Sequence, residues 1–512
     1  MSGSAVKWFI RLAVIRKLAH LLARVAPSTQ SLARRLHYFH PGVLLVTLSD
    51  WWCRRTRFFR HLVSNMFVGM TIALALAYMH HIHNPWLTEF EDAGMDWVMQ
   101  MHVGTNLSET AIPIAWIDID EDSYRRWGEP LYTPRKKLAR LIEYAAESNP
   151  LAIIVDIDLR QSGDHQSDDA LMEYIRNYSL QSRPPLILAR TFRQPVNEAS
   201  MACSELRNSY IENDSNITAS TNIFWASTLF TQDRDRHIRH WRLWEAACTE
   251  EGDPVVVPSI QLLVAAIVRS SDVVPVDAVR MLDDELRNFA PADCKAGHLT
   301  EDKDSCHTSV RDVNRINVGG LVLDSSPSQI QQRLIYSIPW QRPSSGHVLR
   351  GESLDQLFIR HSAYPVTDGN QNIDRSWLSG RVVIIGGSYV DARDNHATPI
   401  GEQPGALILA NAINSLLQYG QIQPPTTWQK LIIEAFLILV MSLAFAWFTS
   451  FWGMLVSGLV IITVLLPVSF FAFKYGVWLD FAVPLIAVQL HQMAAEFEES
   501  RKCPKSENQL PS

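Results

Sequence analysis

The chain reads as an α/β domain with a mainly parallel sheet lying outside a membrane, plus an α-helical membrane part of one N-terminal and three C-terminal transmembrane helices. Three observations predict it. Long apolar runs crowd the two ends and are missing from the middle. Charge is segregated: residues 1–60 hold 11 Lys and Arg against one acid, Asp50, although the whole chain stands at −7, so the middle is strongly acidic. The middle also opens with two buried strand patterns separated by an amphipathic helix, a βαβ unit that implies parallel pairing through a right-handed crossover. The 512 residues allow more than one domain. An acidic middle does not suit nucleic acid, which is not expected as a partner.

Residues 1–60 form a basic cytoplasmic region. Ile10, Val14, Leu18, Leu21, Leu22 and Val25 recur there at helical spacing, with Arg11, Lys17 and Arg24 between them. This suits a helix on an anionic inner leaflet, and equally a segment packed on the membrane bundle or a partner, or one partly disordered. Arg54, Arg55, Arg57 and Arg60 precede the first apolar run, 62–79, read as a transmembrane helix at 61–80, since about 18 apolar residues cross a core of about 30 Å. The positive-inside rule keeps the arginines cytoplasmic and sends 81–428 outside. So long a region before the apolar run is no ordinary signal peptide, so the helix reads as an uncleaved anchor. Gly69, Ala73 and Ala77 share one face of it, a stripe that lets helices approach closely, in a homodimer or within one chain.

Three more runs, 431–448, 454–473 and 477–493, make up a second membrane part at 429–493, with Trp428, Trp447, Trp452 and Trp478 near their ends as interfacial aromatics. Pro467 and Pro484 are expected to kink their helices. Glu434, Asp480 and His491 lie near helix ends, where solvation outweighs a proton path as their explanation. The tail, 494–512, then falls on the cytoplasmic side and is too short for a catalytic domain.

The outer domain begins with a strand at 113–119 (PIAWIDI), a helix at 134–148 with Leu138, Leu141, Ile142 and Ala145 on one face, and a strand at 151–157 (LAIIVDI). A helix follows from Asp168 through Tyr178. Further strands are expected at 185–189, 223–229 and 332–339, and a helix at 258–269. The run 382–385 is a central parallel strand that breaks at Gly386-Gly387, and a helix runs from Gly405 to near Gly420. The stretches 195–250 and 283–330 read as polar loops and insertions. They carry Cys203, Cys248, Cys294 and Cys306, for which an outer location permits disulfides. Of the three connectivities, Cys203–Cys248 with Cys294–Cys306 is the sequence-local one. No C-x-x-C pair is present to suggest zinc.

Three strand ends carry acids: Asp118 and Asp120, Asp156 and Asp158, and Asp391 and Asp394, the last near His396. Ends of parallel strands share one edge of a sheet, where ligands bind in such folds. Carboxylates gathered there repel one another unless protonated, hydrogen-bonded or holding a cation. They therefore form either a site for a divalent cation or small cationic ligand, or a set of helix caps and loop anchors. No G-x-S-x-G, P-loop, H-E-x-x-H or G-x-G-x-x-G is present, so no enzyme is expected, and the sequence names no particular cofactor.

The order of these segments carries a resemblance. An N-terminal anchor is followed by IDIDEDS, then PLYTPR before a helix, then AIIVDIDL; much later comes LSGRVVIIGGSYVDARDNHATPIGEQPGALILANAINSLL, and apolar helices close the chain. It resembles the CHASE type-two domain, an extracytoplasmic sensory module of bacterial receptors. In that family three transmembrane helices follow, usually with a cytoplasmic kinase or cyclase output. The resemblance matches Asp118 and Asp120, Pro134 and Arg135, Asp156 and Asp158 to the family's first motifs, and Gly386, Asp394, Thr398, Pro399, Pro404 and Gly405 to its last. This chain departs from it at Pro130-Leu131-Tyr132, where the family often has Trp-Pro, and at Leu409, where it often has His. The resemblance implies a stand-alone sensor or accessory protein of the bacterial inner membrane, with four transmembrane helices and both termini cytoplasmic. It would bind a small ligand or partner outside and signal to a separate cytoplasmic or membrane partner. A scaffold subunit of an envelope complex and a metal-dependent hydrolase stand as alternatives.

Overall fold

The computed structural model describes residues 56–82, 85–103, 111–163, 165–193, 203–270, 272–291, 294, 315–340, 357–368, 374–448, 450–473, 475–479, 486–487 and 490. The basic segment expected at 1–40, Cys306, Pro484, Asp480, His491 and the tail lie outside them, as does most of the run 477–493. The chain divides into two compact units, one within His83–Lys430 and Thr463–Val483, the other within Met1–Ile82, Leu431–Ile462 and Pro484–Ser512.

The larger unit is organised by strands that are buried on both faces. In chain order its elements begin with helix α1 (Pro85–His102), β1 (Ile114–Ile119), α2 (Glu121–Arg126), α3 (Arg135–Ala146), β2 (Ala152–Asp156), α4 (His165–Ser179), β3 (Leu186–Arg193), β4 (Ser204–Arg207) and β5 (Ile223–Ser227). There follow β6 (Phe230–Gln232), β7 (Ile238–Trp241), β8 (Trp244–Cys248), β9 (Pro254–Pro258), α5 (Ile260–Arg269), α6 (Pro275–Leu286), the hairpin β10 (Arg315–Val318) and β11 (Leu321–Asp324), and β12 (Phe358–Ser362). Last come β13 (Val382–Gly387), β14 (Asn395–Thr398), β15 (Gly401–Pro404) and α7 (Gly405–Tyr419). The main sheet runs β12-β1-β13-β2-β3-β4-β8-β9, with β5 also on β3. From β12 through β3 and β5 every pairing is parallel; β4 and β9 add antiparallel contacts at the far side.

Alternation along the strands divides the core. Ala115, Ile117, Ile119, Ile153, Val155, Val383 and Ile385 point to one face and pack with Leu138, Leu141 and Ile142 of α3 and Leu171 and Ile175 of α4. The opposite face meets α7, which is buried from Ala406 to Leu417. One tight contact sets how closely that helix lies. A Cβ on Gly386 would stand 2.9 Å from the Cβ of Ala406 and 3.5 Å from that of Asp156, so only glycine fits there without displacing the helix.

The run 332–339, expected as a strand, is a correction. Its backbone is buried, but it meets β7 at one isolated bridge, Arg333 with His240, and its later amides bond to side chains of α7. Leu334 N–H donates to Arg239 O (2.8 Å), Ile335 N–H to Ser415 Oγ (3.1 Å), and Ser337 and Ile338 N–H both to Asn411 Oδ1 (2.8 Å each). Asn411 Nδ2 and Gln403 Nε2 return bonds to Ile338 O. A central helix thus satisfies a strand-like sequence sideways. The stretches 195–250 and 283–330 are likewise more regular than expected, holding β4 to β8 and the β10–β11 hairpin.

Cysteine pairing is the second correction. Cys248 bonds to Cys294, with Cα atoms 5.8 Å apart. The helix α6 and the turn Arg287–Phe289 carry the chain back onto β8, where Trp244 and Phe289 pack at 5.0 Å, and this brings Cys294 to Cys248 instead of leaving it to a sequence-local partner. Cys203 is also disulfide-bonded.

Helix α1 is tied into this unit by a buried charge lattice. Asp96 pairs with Arg239 (2.8 Å) and Arg333 (2.5 Å), and Arg333 also holds Asp92. Arg239 reaches Asp233 (2.9 Å) and Asp235 (2.7 Å), and His240 bonds Asp233 (2.9 Å). Both arginine side chains are less than a tenth exposed, so each needs its carboxylates to offset desolvation.

Among the described residues, three apolar helices are long enough to cross a membrane: Phe58–Met79, Trp428–Trp447 and Trp452–Phe473. Gly69 of the small-residue stripe is buried within the chain, whereas Ala77 is exposed; Glu434 is exposed. In the third helix a π-helical turn, Ile461–Leu465, comes just before Pro467, which has no N–H to donate one turn back. The first residues of the expected fourth helix are not helical: Val477 forms a bridge with Gln423.

Replacing Asn411 with Leu keeps volume and removes every bond that Asn411 makes to 337–338. Two buried amides then lose their acceptor, at about 1–3 kcal/mol each. Urea unfolding of the purified protein should show a loss of about 3 kcal/mol or more, and an unchanged midpoint would refute the role given to Asn411.

Candidate functional site

The register of the parallel strands places Ser362, Asp118, Gly386 and Asp156 in one row across β12, β1, β13 and β2, near their carboxyl ends. The two aspartates of the row face α7 and flank the gap left by Gly386. They differ in company. Asp118 is fully buried, and its Oδ2 accepts from Arg360 Nε (2.7 Å) and Ser388 Oγ (2.7 Å), while Oδ1 has no partner. The Arg360 guanidinium lies over the Trp340 and Trp116 rings, at 4.5 and 5.5 Å. Burial pushes the Asp118 carboxyl up to about 7 against the opposing pull of Arg360.

Asp156 is partly buried and has no hydrogen-bond partner among the described residues. Burial, and then the charge of Asp394, push its carboxyl up to about 7. Asp394 reaches this place through the loop after β13. Arg393, just before it, takes a left-handed φ of 53° at the end of the turn Val390–Ala392, which turns the chain into β14. The Asp394 carboxylate then lies against Gly405, where a Cβ would stand 2.2 Å from Oδ2, and its backbone carbonyl accepts from Gly405 N–H (2.8 Å). This is the first turn of α7, whose positive dipole end favours a carboxylate. His396 Nε2 bonds Asp394 Oδ1 at 3.0 Å, and that bond raises the imidazole above its usual value despite burial.

The remaining acids have structural partners. Asp120 caps α2, accepting from Ser123 N–H (2.9 Å) and Ser123 Oγ (2.7 Å), and also from Ser362 Oγ (3.0 Å). Asp158 closes on Arg160; burial raises its carboxyl, but the Arg160 bonds outweigh this and hold it below the usual range. Asp391 accepts from Tyr124 Oη (3.0 Å), whose ring stacks on Tyr389 at 4.4 Å, so the loop grips α2. Thr398 Oγ1 donates to Gly401 O (2.5 Å), closing the β14–β15 turn, and Pro399 O accepts from Gln100 of α1 (2.8 Å). Pro404 caps α7. The six aspartates therefore do not form one group. Asp156, Asp394 and His396 come together, Asp118 stands beside them across Gly386, and among the described residues no three His, Cys, Asp or Glu side chains are placed to hold a metal ion. Sequence reasoning missed Arg360, Ser388 and the α1 contact, which have no local signal.

A model of the CHASE2 domain matches residues 70–447. The chain belongs to the CHASE2 domain family. CHASE2 domains are extracytoplasmic sensory domains, and with its three apolar helices this one is part of a membrane protein. No match was found among curated proteins or among solved structures. The matched span takes in the row of strand ends, the 388–405 loop of this CHASE2 domain and its α7.

A carboxyl whose pKa is raised by folding binds its proton more tightly in the folded chain. Stability from Asp156 thus falls as pH climbs from 3.8, its ordinary value, to about 7, and levels off above. The His396 contribution is full below its unfolded pKa and is lost as pH rises through the higher folded one. Both have the same sign, so acid favours the folded site. Asp156→Asn should flatten the loss of stability between pH 4 and 7 and raise stability at pH 8 by about 1–2 kcal/mol. Thermal melting across pH checks this; a steeper slope in the variant would reject it.

Proposed function

We propose that this CHASE2 protein is a non-enzymatic sensor of the bacterial inner membrane. Its outer domain takes up a proton or a small cationic ligand at Asp156, Asp394 and His396. One N-terminal and three C-terminal transmembrane helices hold it with both termini cytoplasmic, and its state passes to a cytoplasmic or membrane signalling partner. The observation that carries this reading is the unpartnered Asp156 carboxyl facing the charge of Asp394, a site with surplus negative charge at neutral pH. Protonation or a cation relieves that surplus. The 388–405 loop that feels the change holds α2 through Asp391 and receives α1 through Pro399. It continues into α7 and then, after Gly420, into the apolar helix from Thr427.

Hydrogen exchange on the full chain in nanodiscs tests it. A step from pH 7.5 to 5.5 should slow exchange by about threefold or more at 388–403 and at 420–430, since a ligand that prefers one state shifts the balance between states. The Asp156→Asn, Asp394→Asn double variant should lose most of this response, with Asp118 the raised carboxyl left. An equal response in that variant, or none in the wild type, would sink the proposal.

A further inference from the structure

Helix α1 is apolar on the side that faces outward as well as on the side that is packed. Its inner face is buried: Leu87, Met95, Val98 and Met99 are at most 2% exposed, and Asp92 and Asp96 are held by Arg333 and Arg239. The outer face of a surface helix is ordinarily polar. Here Trp86, Phe90, Ala93, Trp97 and Met101 follow one another at steps of four, three, four and four residues. That spacing keeps them in one stripe along the helix. All five are exposed, Trp86 at 52%, Phe90 at 41%, Trp97 at 39% and Met101 at 54%. The Trp86 and Phe90 rings lie 6.0 Å apart along the stripe. Single apolar side chains on a surface are ordinary, but a continuous row with two indoles marks a contact surface. The charge lattice fixes which way the stripe points, because turning α1 about its axis would pull Asp92 and Asp96 off their arginines.

Composition and chain order identify what the stripe meets. Trp collects at membrane–water interfaces, where its flat apolar body is buried and its N–H stays wet. The stripe has no Leu, Ile or Val, the residues that build a seam between two helices. No Lys or Arg occurs in α1, so a second copy of the helix would offer the exposed Glu89 no opposite charge. Three residues, 82–84, separate α1 from the helix Arg57–His81, which holds the first apolar span. The chain therefore enters α1 beside the membrane surface at which that span ends.

We propose that the stripe from Trp86 to Met101 lies in the interfacial zone of the extracytoplasmic leaflet, in contact with lipid. Apolar area holds it there and charge does not, since a helix without basic residues gains nothing from anionic headgroups. The contact reaches into the sensory domain through Arg239 of β7, through Arg333, and through the bond from Gln100 to the turn between β14 and β15.

The test is a photocrosslink on the full chain. Ala93→p-benzoylphenylalanine places the reactive ring at mid-stripe, on an exposed position. The protein is irradiated in nanodiscs of palmitoyl-oleoyl phosphatidylcholine, and intact masses are read. The main product should be one chain carrying one lipid. Its yield should stay within about twofold when phosphatidylglycerol replaces part of the phosphatidylcholine, because α1 has no cationic side chain. With Trp86→Gln and Trp97→Gln added, the yield should fall about fivefold or more, since interfacial binding scales with the apolar area buried. A covalent dimer as the main product would assign the stripe to a second copy and overturn the proposal. So would a chain left with neither adduct, a lipid adduct that requires phosphatidylglycerol, or an unchanged yield in the folded double tryptophan variant. If that variant loses its far-ultraviolet circular dichroism, the crosslink at 93 in the otherwise native chain decides alone.

Discussion

The missing side chain at Gly386 is the constraint on which the outer domain depends. It stands at the centre of the parallel sheet, between Asp118 and Asp156, and it lets α7 approach until Ala406 sits over the backbone. That approach brings the first turn of α7, with Asp394, to the row of strand ends. It also brings Asn411 onto 337–338, so an irregular buried segment finds acceptors. A larger residue at 386 would lift the helix, separate Asp394 from Asp156 and strand the amides of 337–338. Core packing and site geometry are one arrangement here.

The second organising feature is charge buried in pairs. The α1 lattice places four carboxylates around two arginines, with His240 on Asp233. Buried ion pairs contribute little net stability, because desolvation offsets attraction, but losing one partner is costly. Such a lattice specifies one docking position for α1. It therefore acts as a register for the helix that follows the first apolar span, and Gln100 extends that register to the turn after β14.

Much of this was legible and some was not, for physical reasons. The strands at 114–119, 152–156 and 382–387 are buried on both sides, and such runs are conspicuous in sequence. The helix at 135–146 shows one apolar face and a Pro start. β12 was missed because FIRHS is half-buried at the edge and mixes polar with apolar residues. The run 332–339 imitates a strand because burial alone demands apolar residues, whatever satisfies its amides. In the site, the bond from Asp158 to Arg160 is local, whereas the bond from Asp118 to Arg360 spans 242 residues and leaves no periodic trace. Asp156 and Asp394 were grouped with their neighbours because strand ends share an edge. Which acids are neutralised depends on partners that only the fold assembles.

The strength of the acidic site bears on what it can switch. A single group whose proton is fully linked to a conformational change supplies about 2.7 kcal/mol over two pH units. Moving a two-state balance from 1:99 to 99:1 takes about 5.5 kcal/mol. One carboxyl is therefore too weak to act alone as a complete switch. Asp156 is raised by burial and then by the charge of Asp394, and His396 by its bond to Asp394, so both favour protonation in the same pH direction. Asp118, raised by burial across Gly386, adds a third group of the same sign. On the proposed reading, the sensing element is this set of titrating groups around one helix start, and no single residue of it would reproduce the response.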